Sequence, residues 1–320
     1  MKILLTGGTG FVGSAVLNKL VELEYFPAVV VRSAKNSCHE FDEIVIENIN
    51  SKTDWKASLS GCDVVIHCAA RVHIMNDKSV EPLEEFREVN TFGTLNLARS
   101  AARQGVKRFI FVSSIKVLGE KTSLGFPFKS TDTPKPEDPY GISKFEAEEG
   151  LKKLAKETEM EIVIIRPPLV YGPGVKGNFA SLLKFASKGI PLPFGSIKDN
   201  LRSIVSIDNL VDLIITCIKH TNAANRVFLV SDDEDMSTSK IFQQLSESFG
   251  KSGFMFAIPV FLYAILGKLA GKSAVVERLC GNLQVDITDT KSILGWKPVI
   301  TSQAAFVKTA KYYLHNKGID

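Results

Sequence analysis

A run of glycines constrains this chain more than any other feature. Thr6-Gly7-Gly8-Thr9-Gly10-Phe11-Val12-Gly13 follows directly on the apolar run Ile3-Leu4-Leu5. The order reads as buried strand, glycine turn, helix. Glycines at 7, 10 and 13 have the spacing that lays backbone N–H groups against a pyrophosphate at a helix N-terminus. Such a triplet alone is weak, because glycines recur in plain tight turns. Here an amphipathic stretch (Val16, Leu17, Leu20, Val21) opens from the turn, and a second apolar strand follows at Ala28–Val31. A dinucleotide site is expected, with Gly7, Gly10, Phe11, Val12 and Gly13 at the phosphates.

Strand and helix patterns then alternate. Strands are expected at Lys2–Leu5, Ala28–Val31, Ile44–Ile46, Val64–His67, Phe109–Ser113 and Ile162–Arg166, with helices at Gly10–Glu22, Pro82–Gln104 and Tyr140–Glu157. This rhythm predicts an α/β, Rossmann-type doubly wound parallel sheet. Ligands of such sheets bind at the carboxyl ends of the strands. After Arg166 the chain turns glycine-rich at Tyr171–Gly174 and Gly189–Gly195, returns to a helix at Asp208–Lys219, and adds a strand at Arg226–Val230. The expected division is a dinucleotide-binding domain over 1–169 and 205–231, and a smaller, interrupted C-terminal substrate lobe over 170–204 and 232–320.

At 320 residues the chain can bury a full core, and a net charge of +4 does not call for nucleic acid. Cys38, Cys62, Cys68, Cys217 and Cys280 have no metal-type spacing and are expected to be reduced thiols of a cytoplasmic protein. No metal is expected. The N-terminal apolar run is too short for a secretory leader. Phe254–Ala270 is apolar but interrupted by Pro259 and Lys268, and it is shorter than the ~20 residues a spanning helix needs. A helix with Phe261, Leu262, Ile265, Leu266 and Leu269 packed into the C-terminal lobe is favoured over a membrane-facing one.

A second constellation is Tyr140-Gly141-Ile142-Ser143-Lys144. Four residues along a helix set Lys144 one turn above Tyr140 on the same face. A free tyrosine titrates near ~10, and a neighbouring ammonium favours its phenolate. Tyr140 can then exchange a proton with a sugar hydroxyl or carbonyl, while Lys144 also reaches the cofactor ribose. Ser113-Ser114 closes the strand before it, where the Ser114 hydroxyl can donate to a substrate oxygen.

With these residues the chain resembles the extended short-chain dehydrogenases/reductases, the NAD-dependent epimerase/dehydratase family of nucleotide-sugar enzymes. The similarity runs nearly end to end. It implies Ser114, Tyr140 and Lys144 as the catalytic triad. It further implies Asn48-Ile49 as the adenine-contacting turn, and Cys68-Ala69-Ala70 as the loop under the cofactor. Asn90 matches a structural asparagine on the cofactor side, and Arg166-Pro167-Pro168 resembles the nicotinamide-side segment. Asn178, Arg202 and Arg278 fall where the family grips the diphosphate and nucleoside. Arg202 is the best placed, in a loop before a strand, with a guanidinium fork that fits a phosphate. Leu294-Gly295-Trp296-Lys297-Pro298 resembles the closing motif. A homodimer paired through the helices at Pro82–Gln104 and Tyr140–Glu157 is also implied.

Three departures bear on the activity. Dehydratases of the family carry Asp-Glu directly after the catalytic hydroxyl residue, whereas this chain has Ile115-Lys116, so dehydration lacks its acid and base. NAD-using members place an acid after the second strand, whereas this chain has Arg32-Ser33, which leans towards NADP(H) over NAD. Leu169 stands where many relatives have an asparagine near the substrate phosphate, and Lys116 is a candidate to replace that polarity. The leading expectation is a UDP-4-keto-6-deoxy-hexose reductase acting at C4 in surface polysaccharide biosynthesis. The alternative is a 4-epimerase of the UDP-glucose or UDP-N-acetylglucosamine type. Minor alternatives are an epimerase of a polyprenol-linked sugar, with membrane association, and a non-catalytic cofactor sensor.

Overall fold

The computed structural model describes residues 1–33, 41–72, 81–269, 271 and 273–318. Cys38 and Ala270 lie outside the described residues. The first half alternates as the sequence predicts. β1 (Ile3–Thr6) passes through the glycine turn into α1 (Phe11–Glu22), and β2 (Ala28–Val31), β3 (Asp42–Val45) and β4 (Val64–His67) follow. α2 (Pro82–Phe86) continues through a π-helical turn, Arg87–Gly93, into α3 (Thr94–Arg103). Then come β5 (Arg108–Val112), α4 (Pro139–Glu157) and β6 (Glu161–Arg166).

The second half holds more elements than the sequence suggests. β7 (Leu169–Tyr171), α5 (Gly177–Ser187), β8 (Arg202–Ser206), α6 (Ile207–Lys219) and β9 (Arg226–Leu229) are followed by β10 (Asp235–Met236). Helices α7 (Thr238–Glu247), α8 (Val260–Leu269), α9 (Ser273–Cys280), α10 (Thr288–Leu294) and α11 (Ser302–His315) complete the chain. The short strands β7, β8 and β10 escape sequence reading because so few residues carry no period.

Seven strands form one sheet in the order β3-β2-β1-β4-β5-β6-β9, and every pair is parallel. β1, β2, β4 and β5 are buried along their whole length. This is why they read as continuous apolar runs rather than alternating ones. Alternation reappears in what each residue packs against. Ile3, Leu5, Val29 and Ile66 join α1 and α6 in one core, while Leu4, Ala28, Val30 and Val65 join α3 and α4 in the other. Chain order reverses between β1 and β4, so their carboxyl ends flank the crevice where such sheets take ligands.

A three-stranded sheet, β10-β8-β7, stands beside the main one. A third core, including Tyr171, Phe179 and Phe306, fills the C-terminal region. Tyr171 lies 4.8 Å from Phe306 and 5.4 Å from Phe179, centre to centre, and its hydroxyl donates to Asp232 at 2.7 Å. α8 departs from the expected packing. Tyr263 turns inward, but Phe261, Ile265 and Leu269 are exposed.

Candidate active site

The glycine turn is a cradle that no side chain can enter. Gly7 has φ +75°, and a Cβ there would stand 2.6 Å from the Ala69 nitrogen. A Cβ on Gly13 would stand 2.1 Å from the Gly7 carbonyl oxygen, while the Gly10 amide donates to that same oxygen at 2.8 Å. Gly10 offers α1 no side-chain cap, and the first turn holds no acid. An uncapped helix start is suited to an anion. These residues fit a dinucleotide pyrophosphate at Gly7, Gly10, Phe11, Val12 and Gly13.

The floor of the crevice is braced from below. The His67 ring bridges the Thr6 hydroxyl at 2.6 Å and the Thr94 hydroxyl at 2.9 Å. Burial draws His67 down to about 3, so its ring is neutral. Burial likewise pushes Cys68 up to about 12, which leaves a thiol rather than a nucleophile. Ala69 and Ala70 are half-buried beside it. Asn90 is fully buried in the π-turn. Its amide accepts from the Arg71 nitrogen at 2.8 Å and donates to the Arg71 carbonyl at 3.0 Å and the Ser143 hydroxyl at 3.1 Å. Asn90 therefore braces the Cys68–Arg71 loop against α4. A Cβ on Gly93 would stand 3.0 Å from the Ile49 side chain, so the glycine lets the Asn48-Ile49 turn close on the π-turn. Asn48 itself is exposed, as is Arg32 just past β2.

α4 starts against the turn that follows β5. Asp138 caps it by accepting from the Gly141 amide at 2.7 Å, and Pro139 takes the first turn, where no N–H is required. A Cβ on Gly141 would stand 2.8 Å from the Lys116 carbonyl oxygen. The missing side chain lets the start of α4 close on the turn that carries Ser114 and Lys116. Ser114 accepts from the Lys116 amide at 3.3 Å, and the Ile115 amide donates to the Pro167 carbonyl at 2.9 Å. Lys144 is buried, donates to the Val112 carbonyl at 2.9 Å, and lies 4.3 Å from the centre of the Phe111 ring. The structure thus brings Ser114, Tyr140 and Lys144 to the carboxyl end of β5, beside the loop after β4.

One electrostatic expectation is corrected. The Tyr140 phenol is pushed up, by burial first and then by the Asp138 carboxylate. Lys144 is drawn down to about 8 by its burial. The ammonium spends its contact on the Val112 carbonyl, so the phenol is not activated by Lys144 within the chain alone.

A line of charges leads from here to the C-terminal region. Lys116 pairs with Asp138 and, at 2.8 Å, with Glu120. Glu120 meets Arg278 at 3.6 Å. Arg202, half-buried, donates to the Gly281 carbonyl at 3.1 Å and lies close enough to Arg278 for its guanidinium to be destabilised, after burial, by that like charge. Lys116 is thus held between carboxylates. Asn178 is exposed near the start of α5, apart from this line. Asp138, Glu120 and Gly141 escaped the sequence reading. Asp138 before Pro139 carries a readable cap signal, whereas Glu120 carries none.

The family model described as NAD dependent epimerase/dehydratase family matches residues 3–231. The chain belongs to this family. It is an enzyme of the extended short-chain dehydrogenase/reductase type. A UDP-glucose 4-epimerase of Vibrio cholerae is 55% identical to this family member over 315 residues, 98% of this chain and 95% of its own. An N-acetyl-alpha-D-glucosaminyl-diphospho-ditrans,octacis-undecaprenol 4-epimerase of Escherichia coli O157:H7 is 28% identical, over 99% of this chain and 97% of its own. The crystal structure of the Thermotoga maritima UDP-glucose 4-epimerase with UDP-glucose superposes with a TM-score of 0.78 at 26% identity, covering 100% of both chains.

These relatives overturn the leading expectation of a 4-keto-reductase. The relative at 55% identity is a 4-epimerase across nearly the full length of both chains. The reason for the error is physical. Missing dehydratase carboxylates exclude dehydration, but they do not separate reduction from epimerisation, which share one triad. Arg32 speaks only to a cofactor phosphate, not to the fate of the hydride.

Proposed function

We propose that this chain is a 4-epimerase of UDP-linked hexoses that holds NAD and regenerates it within each turnover. The observation that carries the reading is the buried Lys144 ammonium, one turn from Tyr140 at the carboxyl end of β5. The epimerase at 55% identity supports the same chemistry. When bound, NAD supplies the hydride acceptor and donor at C4. Tyr140 would take the O4 proton on oxidation and return it to O4 on reduction, after the keto sugar has turned its opposite face. Ser114 holds O4, and Lys144 reaches the cofactor ribose.

In this reading Gly7, Gly10, Phe11, Val12 and Gly13 hold the cofactor pyrophosphate, with Asn48 and Ile49 at the adenine and Arg32 near its ribose. Cys68, Ala69, Ala70 and Pro167 shape the nicotinamide side, and Asn90 fixes their loop. Arg202 and Arg278, with Asn178, take the diphosphate and nucleoside, and Lys116 orients the substrate side through Glu120. Residues 1–169 with 205–231 carry the cofactor, and 170–204 with 232–320 carry the substrate. Exposed Phe92 on the helical run that includes α2 and α3 supports a homodimer through that face and α4.

The test uses purified protein with no added cofactor. UDP-glucose and UDP-galactose should interconvert at above ~1 s⁻¹ with no net change at the nicotinamide absorbance. Protein that carries NAD by mass spectrometry, yet interconverts no UDP-hexose pair, overturns the reading.

A further inference from the structure

The most unusual surface lies on the C-terminal lobe, along the outer face of α8. Phe254, Phe256, Val260, Phe261, Ile265 and Leu269 are all exposed, with Phe261 at 63% and Leu269 at 80%. Phe261, Ile265 and Leu269 recur every four residues, so they stand in one line along the outer face of α8. Phe254 and Phe256 extend the patch through the segment that precedes the helix. The Phe256 amide donates to the Leu192 carbonyl at 3.2 Å, and Ile190 is exposed in that adjoining strand of chain. Exposed large apolar side chains gathered within one short stretch of chain mark an interaction site.

Charge decides the partner. No Asp or Glu occurs between Glu247 and Glu277, nor between Glu161 and Asp199. Those two segments supply the patch and most of its border, while Glu277 on the α9 side pairs with Lys121 at 2.7 Å. The border carries Lys184, Lys188, Lys251 and Lys268, all exposed and, among the described residues, without an ion-pair partner. A second copy of the chain would set these lysines against their counterparts. An anionic lipid surface complements both features, taking aromatic and aliphatic side chains into its boundary and lysines at its headgroups.

We propose that the outer face of α8, with Phe254 and Phe256, docks this protein peripherally onto an anionic membrane surface. No helix of the described residues is long and apolar enough to cross a membrane, so the contact is one of surface burial. α9 packs against α8 and carries Arg278, and Gly281 just beyond it accepts from Arg202. Docking therefore brings the substrate-side arginines near the bilayer. The proposal does not rest on the epimerase reading, because α8 holds no residue of the reaction.

The experiment is flotation of the full chain with vesicles of phosphatidylcholine alone or mixed with phosphatidylglycerol. The wild type should float with the anionic vesicles, and at least tenfold less with the neutral ones or in about 0.5 M salt. The variant F261D/L269D should stay in solution with an unchanged melting temperature, both side chains being exposed. No flotation of the wild type with anionic vesicles overturns the proposal. So does flotation of the variant at the wild-type level. Vesicle-free self-association that the variant abolishes assigns the patch to a second copy and overturns it too. Anionic-dependent flotation without UDP-hexose interconversion supports the docking surface and overturns only the function proposed above.

Discussion

Tyr140 and Lys144 sit one turn apart on α4, and burial moves their protonation in opposite directions. The phenol is pushed up, and the ammonium is drawn down to about 8. Both shifts favour the neutral forms, and at neutral pH the buried Lys144 ammonium costs stability. Tyr140→Phe should lower turnover by roughly 10²–10⁴-fold while mass spectrometry finds unchanged cofactor content. Activity within a few-fold of wild type would remove Tyr140 from the reaction. For Lys144 the folded value lies below the unfolded 10.5. The unfolded chain then binds more protons between about 8 and 10.5, and stability rises with pH across that window. Lys144→Met should abolish turnover yet raise the melting temperature at pH 7, by roughly 2–4 °C for each kcal/mol of relieved burial. A melting temperature lowered by this change would show that the Val112 and Phe111 contacts outweigh the desolvation. His67 follows the same sign at lower pH. Held neutral with a folded value of about 3 against 6.5 unfolded, it contributes stability that is lost as pH falls from about 6.5 towards 3.

At the scale of elements, the site depends on where α4 is anchored. Glu148 on α4 is fully buried and accepts from Arg166 of β6 at 2.5 Å and from the Ser113 hydroxyl at 2.5 Å. This clamp sets the height of α4 against β5 and β6. Glu148→Leu leaves the Arg166 guanidinium buried without its partner and should cost about 3–5 kcal/mol, read by urea unfolding. The start of the helix is set by Gly141, whose absent side chain admits the Lys116 carbonyl. Gly141→Ala should push Tyr140 away from Ser114. The expected result is a turnover loss of about tenfold or more with cofactor content intact, since small misplacements of reacting groups are costly. Unchanged turnover would mean that the Ser114 turn yields instead.

For the whole molecule, the charges at Asp138, Lys116, Glu120 and Arg278 tie the start of α4 to α9. These side chains join the turn after β5 to α9, beside the backbone bonds that Thr122 and Phe128 make to Asn282 and Gln284. Arg202 lies beside this line, already holding the Gly281 carbonyl. Arg202→Ala should raise the dissociation constant for UDP at least tenfold, about 1.4 kcal/mol, with NAD content unchanged. Calorimetry that finds UDP binding unaltered would place the diphosphate elsewhere in the lobe.

What this sequence determined by itself is local. The strand–glycine–helix run at Ile3–Glu22, the buried strands and the Tyr140–Lys144 spacing are legible, because each depends on contacts within one element or between chain neighbours. The parallel sheet follows from their alternation. The tertiary structure alone decided the rest. Lys116 reads in sequence as a candidate substrate contact, but folding sets Asp138 and Glu120 around it. Lys144 looks like an activator of Tyr140, but it turns to the Val112 carbonyl. The apolar run at 254–269 looks like core, but among its described residues Tyr263 and a few neighbours pack inward while Phe261, Ile265 and Leu269 stay exposed. Periodicity reports which face of an element is apolar. Whether anything lies opposite that face depends on how distant elements are placed, and no spacing along the chain encodes it.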